Sequence, residues 1–202
     1  MINKLSEREV LNMKLLTIGL IALAIVIVVV VAAFAGMAAL FMDVMSYTAT
    51  GSETLNPAGT AVGNALVVYD PGVSGTTKNA AVVIAGDLQS KGYKVDLAGV
   101  RSAAAANVSG YDVIIVGGPT YAGNIASSIA AYLKSLNAPT GATIGLFATG
   151  SVEPASDDPV YMRKFVSGLP DDSLLKITSA VKLLPKDDTD KKCAVYVTGL
   201  LQ

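Results

Sequence analysis

The sequence predicts an α/β domain, a five-stranded parallel sheet with helices on both faces, behind an N-terminal transmembrane helix. Three observations carry that expectation. After residue 63, short apolar runs alternate with helix-patterned segments, the signature of βαβ units and a parallel sheet. Two of those runs, Asn64–Asp70 and Asp112–Gly117, are apolar without alternation, as strands buried on both faces are. Finally, Leu15 to Met42 carries no charge and contains Ala-Ile-Val-Ile-Val-Val-Val-Val from Ala24 to Val31. A bilayer core needs about 20 apolar residues in a helix, and this stretch supplies them.

The chain divides accordingly. Residues 1–14 form a short charged segment, 15–42 the span, 43–63 a flexible linker rich in Thr, Ser, Gly and Ala, and 64–202 the domain. The apolar core of a secretory signal is about 7–15 residues, so the longer run here reads as an uncleaved single-pass anchor. Lys4, Arg8 and Lys14 precede the span, and no Lys or Arg follows it until Lys78. The positive-inside rule then places the N-terminus in the cytoplasm and the domain outside.

Composition removes several function classes. The net charge of -1 gives no electrostatic case for nucleic acid. With no histidine, Ser-His-Asp and Cys-His catalysis and imidazole metal ligands are excluded. The single cysteine, Cys193, forms neither an internal disulfide nor a thiolate metal site. No residue is assigned as catalytic or as a metal ligand. Asn107-Val108-Ser109 is an N-glycosylation sequon, a triplet common by chance.

Taken in order, the first strand is Asn64–Asp70, and Ala80, Val83, Ile84 and Leu88 mark the helix after it. Gly92 ends that helix, and Tyr93–Leu97 reads as a second, more exposed strand. Ser102–Ala106 is a short helical piece and Asp112–Gly117 the third strand. Ile125, Ile129, Tyr132, Leu133 and Leu136 mark a helix over residues 124–136. Thr143–Ala148 is the fourth strand, with a helix near Asp158–Gly168 beyond a long polar loop. Leu174–Leu184 carries the fifth strand. Asp187, Asp188 and Asp190 favour the start of a last helix that runs to Leu200.

Ligands of such sheets bind at the carboxyl ends of the strands, near the switch in strand order. Three stretches lie there: Asp70–Thr77, Gly117–Asn124 and Thr149–Asp158. In the first, Pro71-Gly72-Val73-Ser74-Gly75-Thr76-Thr77 joins a strand to a helix, a layout that aims backbone N–H groups at an anion, usually a phosphate. Ser74, Thr76 and Thr77 add hydroxyls, while Gly72 and Gly75 let the backbone approach a ligand. The P-loop and dinucleotide spacings are both absent. In the second stretch Pro119 fixes the turn, Tyr121 offers a flat face, and Gly123 lets a backbone N–H come close to a ligand.

Tyr69, Thr76, Ala80 and Val83 fall on the positions of the flavodoxin phosphate-loop pattern, with Pro71 and Ser74 as departures from it. Gly117-Gly118-Pro119-Thr120-Tyr121-Ala122-Gly123-Asn124 resembles the Gly-x-Pro-x-Tyr-x-Gly loop that lies along the flavin in many flavodoxin-like proteins. Thr149-Gly150-Ser151 matches only as small and polar at the end of the fourth strand. Over Ala65 to Leu200 the chain is therefore similar to the short-chain flavodoxins. That resemblance implies strand order 2-1-3-4-5, FMN held non-covalently, and electron transfer in which the flavin does the chemistry. It also implies a cofactor site drawn from Asp70, Gly72, Ser74, Gly75, Thr76, Thr77, Pro119, Thr120, Tyr121, Ala122, Gly123, Asn124, Thr149 and Gly150. The partner implied is a redox protein or a membrane quinone-like carrier. An FMN-dependent NAD(P)H or quinone reductase on the same fold is one alternative, and a cofactor-free binding module is another. Pro71, which offers neither hydroxyl nor N–H, favours the latter. The domain's acids and bases nearly balance, unlike the strongly acidic surface typical of soluble flavodoxins. A phosphoacceptor receiver needs an aspartate at the end of the third strand, where Val116-Gly117-Gly118 has none.

Overall fold

The computed structural model of the chain describes residues 2–46, 49–151, 157–164, 169 and 175–202. Two compact units divide it, residues 1–43 and 44–202. The first is one helix, α1 (Ile2–Ser46). Its stretch Arg8–Met37 has no buried residue and contains an 18-residue window with a mean hydropathy of 3.2, long and apolar enough to cross a membrane.

The second unit begins with β1 (Ser52–Leu55), β2 (Gly63–Tyr69), α2 (Thr76–Ser90), β3 (Tyr93–Gly99) and α3 (Ala103–Ala106). It continues through β4 (Val113–Tyr121), β5 (Asn124–Ile125), α4 (Ser127–Ser135) and β6 (Thr143–Thr149). It closes with α5 (Pro159–Arg163), β7 (Ile177–Leu183) and α6 (Thr189–Leu200). The sheet runs β1-β3-β2-β4-β6-β7, with β5 paired to β4. Strands β3, β2, β4, β6 and β7 are parallel neighbours in the expected order.

Side chains alternate across the sheet and fill two cores. Ala65, Val67 and Tyr69 of β2 pack with Ile84 and Leu88 of α2 and with Cys193 and Val197 of α6. Leu66 and Val68 point the other way, toward Ile129 and Leu133 of α4 and Met162 of α5. Both faces of the central strands are thus covered, which explains their unbroken apolar runs.

The structure corrects several boundaries. The stretch expected to be a flexible linker, residues 43–63, contains β1, which lies antiparallel on β3 and caps that edge of the sheet. It is held by polar contacts across the sheet edge. The Thr54 hydroxyl donates to Asp96 Oδ1, and the Tyr111 hydroxyl donates to Asp96 Oδ2 at 2.6 Å. The Arg101 N–H donates to the Ala49 carbonyl at 3.1 Å, and the Gly99 N–H to the Gly51 carbonyl at 2.9 Å. The third strand was expected to stop at Gly117 but continues to Tyr121. Gly117 and Gly118 are packing glycines inside it. A Cβ on Gly117 would run into the Phe147 ring, and one on Gly118 would stand 2.7 Å from Ile129 Cγ1. Asn124 and Ile125, expected to open a helix, pair back on β4 instead, and α4 starts at Ser127.

Helix α5 is capped by Asp158, whose carboxylate accepts from the Val160 N–H at 2.9 Å. Residues 152–156 of the third loop, 165–168 of the expected helix and 174 of the expected strand lie outside the described residues. Asp188 caps α6 by accepting from the Lys191 N–H. Asn107 is exposed, with its Oδ1 accepting from the Ser109 hydroxyl at 2.7 Å.

Candidate functional site

The carboxyl ends of β2, β4 and β6 lie side by side, so the loops that leave them share one end of the sheet. The first loop turns on two left-handed glycines, Gly72 (φ 61°) and Gly75 (φ 73°). Gly75 also caps α2 and brings no side-chain acceptor to the first-turn N–H groups. The exposed hydroxyls of Ser74 and Thr76 sit beside that turn, 3.0 Å apart. Asp70, 1% exposed, holds the loop from beneath. Its Oδ1 accepts from the Gly72 N–H at 2.9 Å, and its Oδ2 accepts from the Ser128 hydroxyl.

The second loop is a two-residue hairpin between β4 and β5. Ala122 (φ 48°) and Gly123 (φ 83°) are both left-handed, as a type I′ turn requires. Ala122 is the one non-glycine residue with positive φ among those described. Before the turn, the Tyr121 hydroxyl reaches back to Gly72 in the first loop. Burial raises the Tyr121 hydroxyl above its ordinary pKa, with the Asp70 carboxylate adding to the effect and a hydrogen bond from the Val73 backbone opposing it.

Between these loops lies a cavity of ≈ 390 Å³. Val73, Ser74 and Thr76 line it from the first loop, Pro119, Thr120 and Tyr121 from the second, and Thr149, Gly150 and Ser151 from the third. Leu183, the last residue of β7, and Pro185 just past it close its far side. A larger hollow of ≈ 570 Å³ around Leu136–Ile144 lacks any such meeting of strand ends.

Most of the expected residues converge here. Ser74, Thr76, Pro119, Thr120, Tyr121, Thr149 and Gly150 line the cavity, and Gly72 and Gly75 shape its wall. Asp70 and Thr77 are buried, and their side chains bond to other protein groups. Ala122, Gly123 and Asn124 form the adjoining hairpin turn outside the lining. Val73, Leu183 and Pro185 carry no motif that marks them; only the position of Pro185 just past the fifth strand points to the site.

Among the described residues the donor set is neutral: amides, hydroxyls and one aromatic face, with no acidic side chain in the cavity lining. Such a set fits a phosphorylated planar ring, with phosphate at the start of α2 and the ring near Tyr121. Fold and site together define a flavin-binding class of α/β protein. Residues 66–180 match the flavodoxin domain family, and the chain belongs to it. FMN is the cofactor this membership indicates.

Several solved structures are similar to this chain, the first of them at the level of the fold. The flavodiiron core of Flv1 from Synechocystis sp. PCC6803 is 22% identical over 70% of this chain and 36% of that one, with a TM-score of 0.52. Rubredoxin oxygen:oxidoreductase from Desulfovibrio gigas is 19% identical over 70% and 36%, with a TM-score of 0.47. Oxidised Flavodoxin 2 from Bacillus cereus is 20% identical over 68% and 97%, with a TM-score of 0.49. The chain thus spans about a third of the length of the first two. No curated protein matches the sequence.

Proposed function

We propose that this protein is a membrane-anchored flavodoxin-like electron carrier that binds FMN non-covalently and works at the membrane surface. The observation that carries the reading is the meeting of the Ser74 and Thr76 hydroxyls, the start of α2 behind Gly75 and the Tyr121 ring around one cavity. FMN, when bound, supplies one- and two-electron transfer. The chain's own groups bind and orient. Ser74, Thr76 and the first-turn amides of α2 take the phosphate, and Pro119 and Tyr121 form a flat apolar wall for the ring. No side chain is required as a proton donor, in keeping with a chain that has no histidine.

One feature supports the membrane surface as its place: helix α1 is long and apolar enough to span a bilayer. The charge flanking α1 supports a domain outside the cytoplasm. The partner is then a redox protein or a lipid-soluble quinone-like carrier.

Chemical reduction of the FMN-loaded full chain in lipid vesicles, followed by addition of a quinone dissolved in the bilayer, tests this. Reoxidation of the flavin faster than in detergent micelles with a water-soluble quinone is expected. Equal rates in the two settings would remove the membrane from the function.

A further inference from the structure

Two hydroxyls that the loop sequences offer as cofactor contacts are bonded to each other. Thr77, 1% exposed, is the second residue of α2, and Thr149, 3% exposed, is the last residue of β6. Their Oγ1 atoms are 2.6 Å apart. The Thr149 carbonyl in turn accepts from the Thr120 hydroxyl at 3.1 Å, near the end of β4. Gly150 makes this approach possible, because a Cβ there would run into Thr120 Oγ1. One short chain, 77–149–120, therefore ties together the three loops that leave β2, β6 and β4.

We propose that Thr149 is a positioning residue, a buried clasp that fixes the phosphate loop against the loops flanking the flavin ring. The role in cofactor binding rests on the FMN reading above; the clasp itself is a property of the chain alone. Three loops from three strands bind one rigid ligand only if they keep a common register, and sub-ångström looseness there is costly. A hydroxyl pair buried this deeply is also costly to half-remove, since the surviving partner is left without a bond. The Thr76 hydroxyl, one residue away, faces the cavity while Thr77 faces inward. Adjacent threonines thus divide the work: Thr76 touches the ligand and Thr77 holds the turn that presents it.

Four variants of the full chain in detergent micelles decide the matter: Thr149→Val, Thr149→Ser, Thr77→Val and the double Thr77→Val/Thr149→Val. Thr149→Val should weaken FMN by about tenfold, the equivalent of one buried hydrogen bond, and riboflavin, which does not reach the phosphate loop, by clearly less. Thr149→Ser keeps the hydroxyl and should restore FMN binding. The double variant should bind no worse than the weaker single one, because the two changes remove the same bond. Additive losses, failure of serine to rescue, an equal loss of both flavins, or unchanged FMN binding in Thr77→Val would each overturn the proposal. The last would make Thr149 a phosphate contact. If the unaltered chain takes up neither flavin, the FMN reading fails and amide exchange of the free chain decides the clasp. Faster exchange over residues 76–80 and 117–121 in Thr149→Val, reversed in Thr149→Ser, upholds it; unchanged exchange overturns it.

Discussion

The Tyr121 hydroxyl lies 3.4 Å from the point where a Cβ on Gly72 would stand, and Pro119 Cγ lies closer, at 2.9 Å. The first two site loops thus touch across a position that only glycine fills. Gly72→Ala adds a clash with a ring that cannot swing away to a left-handed strain of roughly 1–2 kcal/mol. Gly75→Ala has the same kind of φ but open space around it, so it should suffer the strain alone. Urea unfolding followed by tyrosine fluorescence should show Gly72→Ala as the more destabilised of the two. Gly72→Ala should also be the one that loses FMN more strongly.

Thr76 carries a second prediction. Its hydroxyl lines the cavity beside the start of α2, where a phosphate would sit. Thr76→Val should weaken FMN by about 1.5–3 kcal/mol, the worth of a charge-assisted hydrogen bond. Riboflavin, which lacks the phosphate, should bind almost unchanged. Titration of both ligands by quenching of flavin fluorescence checks this, and equal losses would place the loop against the ring instead.

A third prediction concerns alkaline pH. Burial pushes the Cys193 thiol up from 9.0 to about 12, with the Asp87 and Asp190 carboxylates adding to the shift and Lys192 opposing it. The folded chain then holds this proton where the unfolded chain releases it. Stability should be unaffected by Cys193 below about pH 9 and should fall as pH rises from there toward 12. Cys193→Ala should be less stable at neutral pH, through the cavity it leaves, yet should lose less between pH 8 and pH 10. Urea midpoints at the two pH values give the comparison; parallel losses in both chains would contradict the assignment. The thiol, fully buried, should resist alkylation until the domain unfolds.

Orientation gives the fourth. Ser52 is exposed at the start of β1. With Cys193 replaced by alanine, Ser52→Cys should react with an impermeant maleimide on intact cells. Labelling only after lysis would place the domain in the cytoplasm.

The parallel sheet was legible because its strands are buried on both faces. Leu66 to Val68 and Ile114 to Val116 have no polar side to show. β1 was hidden for the opposite reason. Ser-Glu-Thr-Leu is an exposed edge strand whose partners on β3, Asp96 and Ala98 among them, are known only once the chain has folded. Gly117-Gly118-Pro119 read as a loop because glycine and proline usually end strands. Here the two glycines make room for Phe147 and Ile129, and Pro119 accepts rather than donates, its carbonyl taking the Ala126 N–H. In the site, Ser74, Thr76 and Tyr121 were readable from spacing. The inward turn of Thr77 was not, since a hydroxyl's direction depends on Thr149, far along the chain.

The most direct measurement is the visible spectrum of the purified full chain after incubation with excess FMN and removal of the free ligand. A retained flavin spectrum, with micromolar or tighter affinity and one FMN per chain, is the result expected of the cavity between Ser74, Thr76 and Tyr121. A colourless protein would contradict it and leave a flavodoxin-like domain that binds without a cofactor.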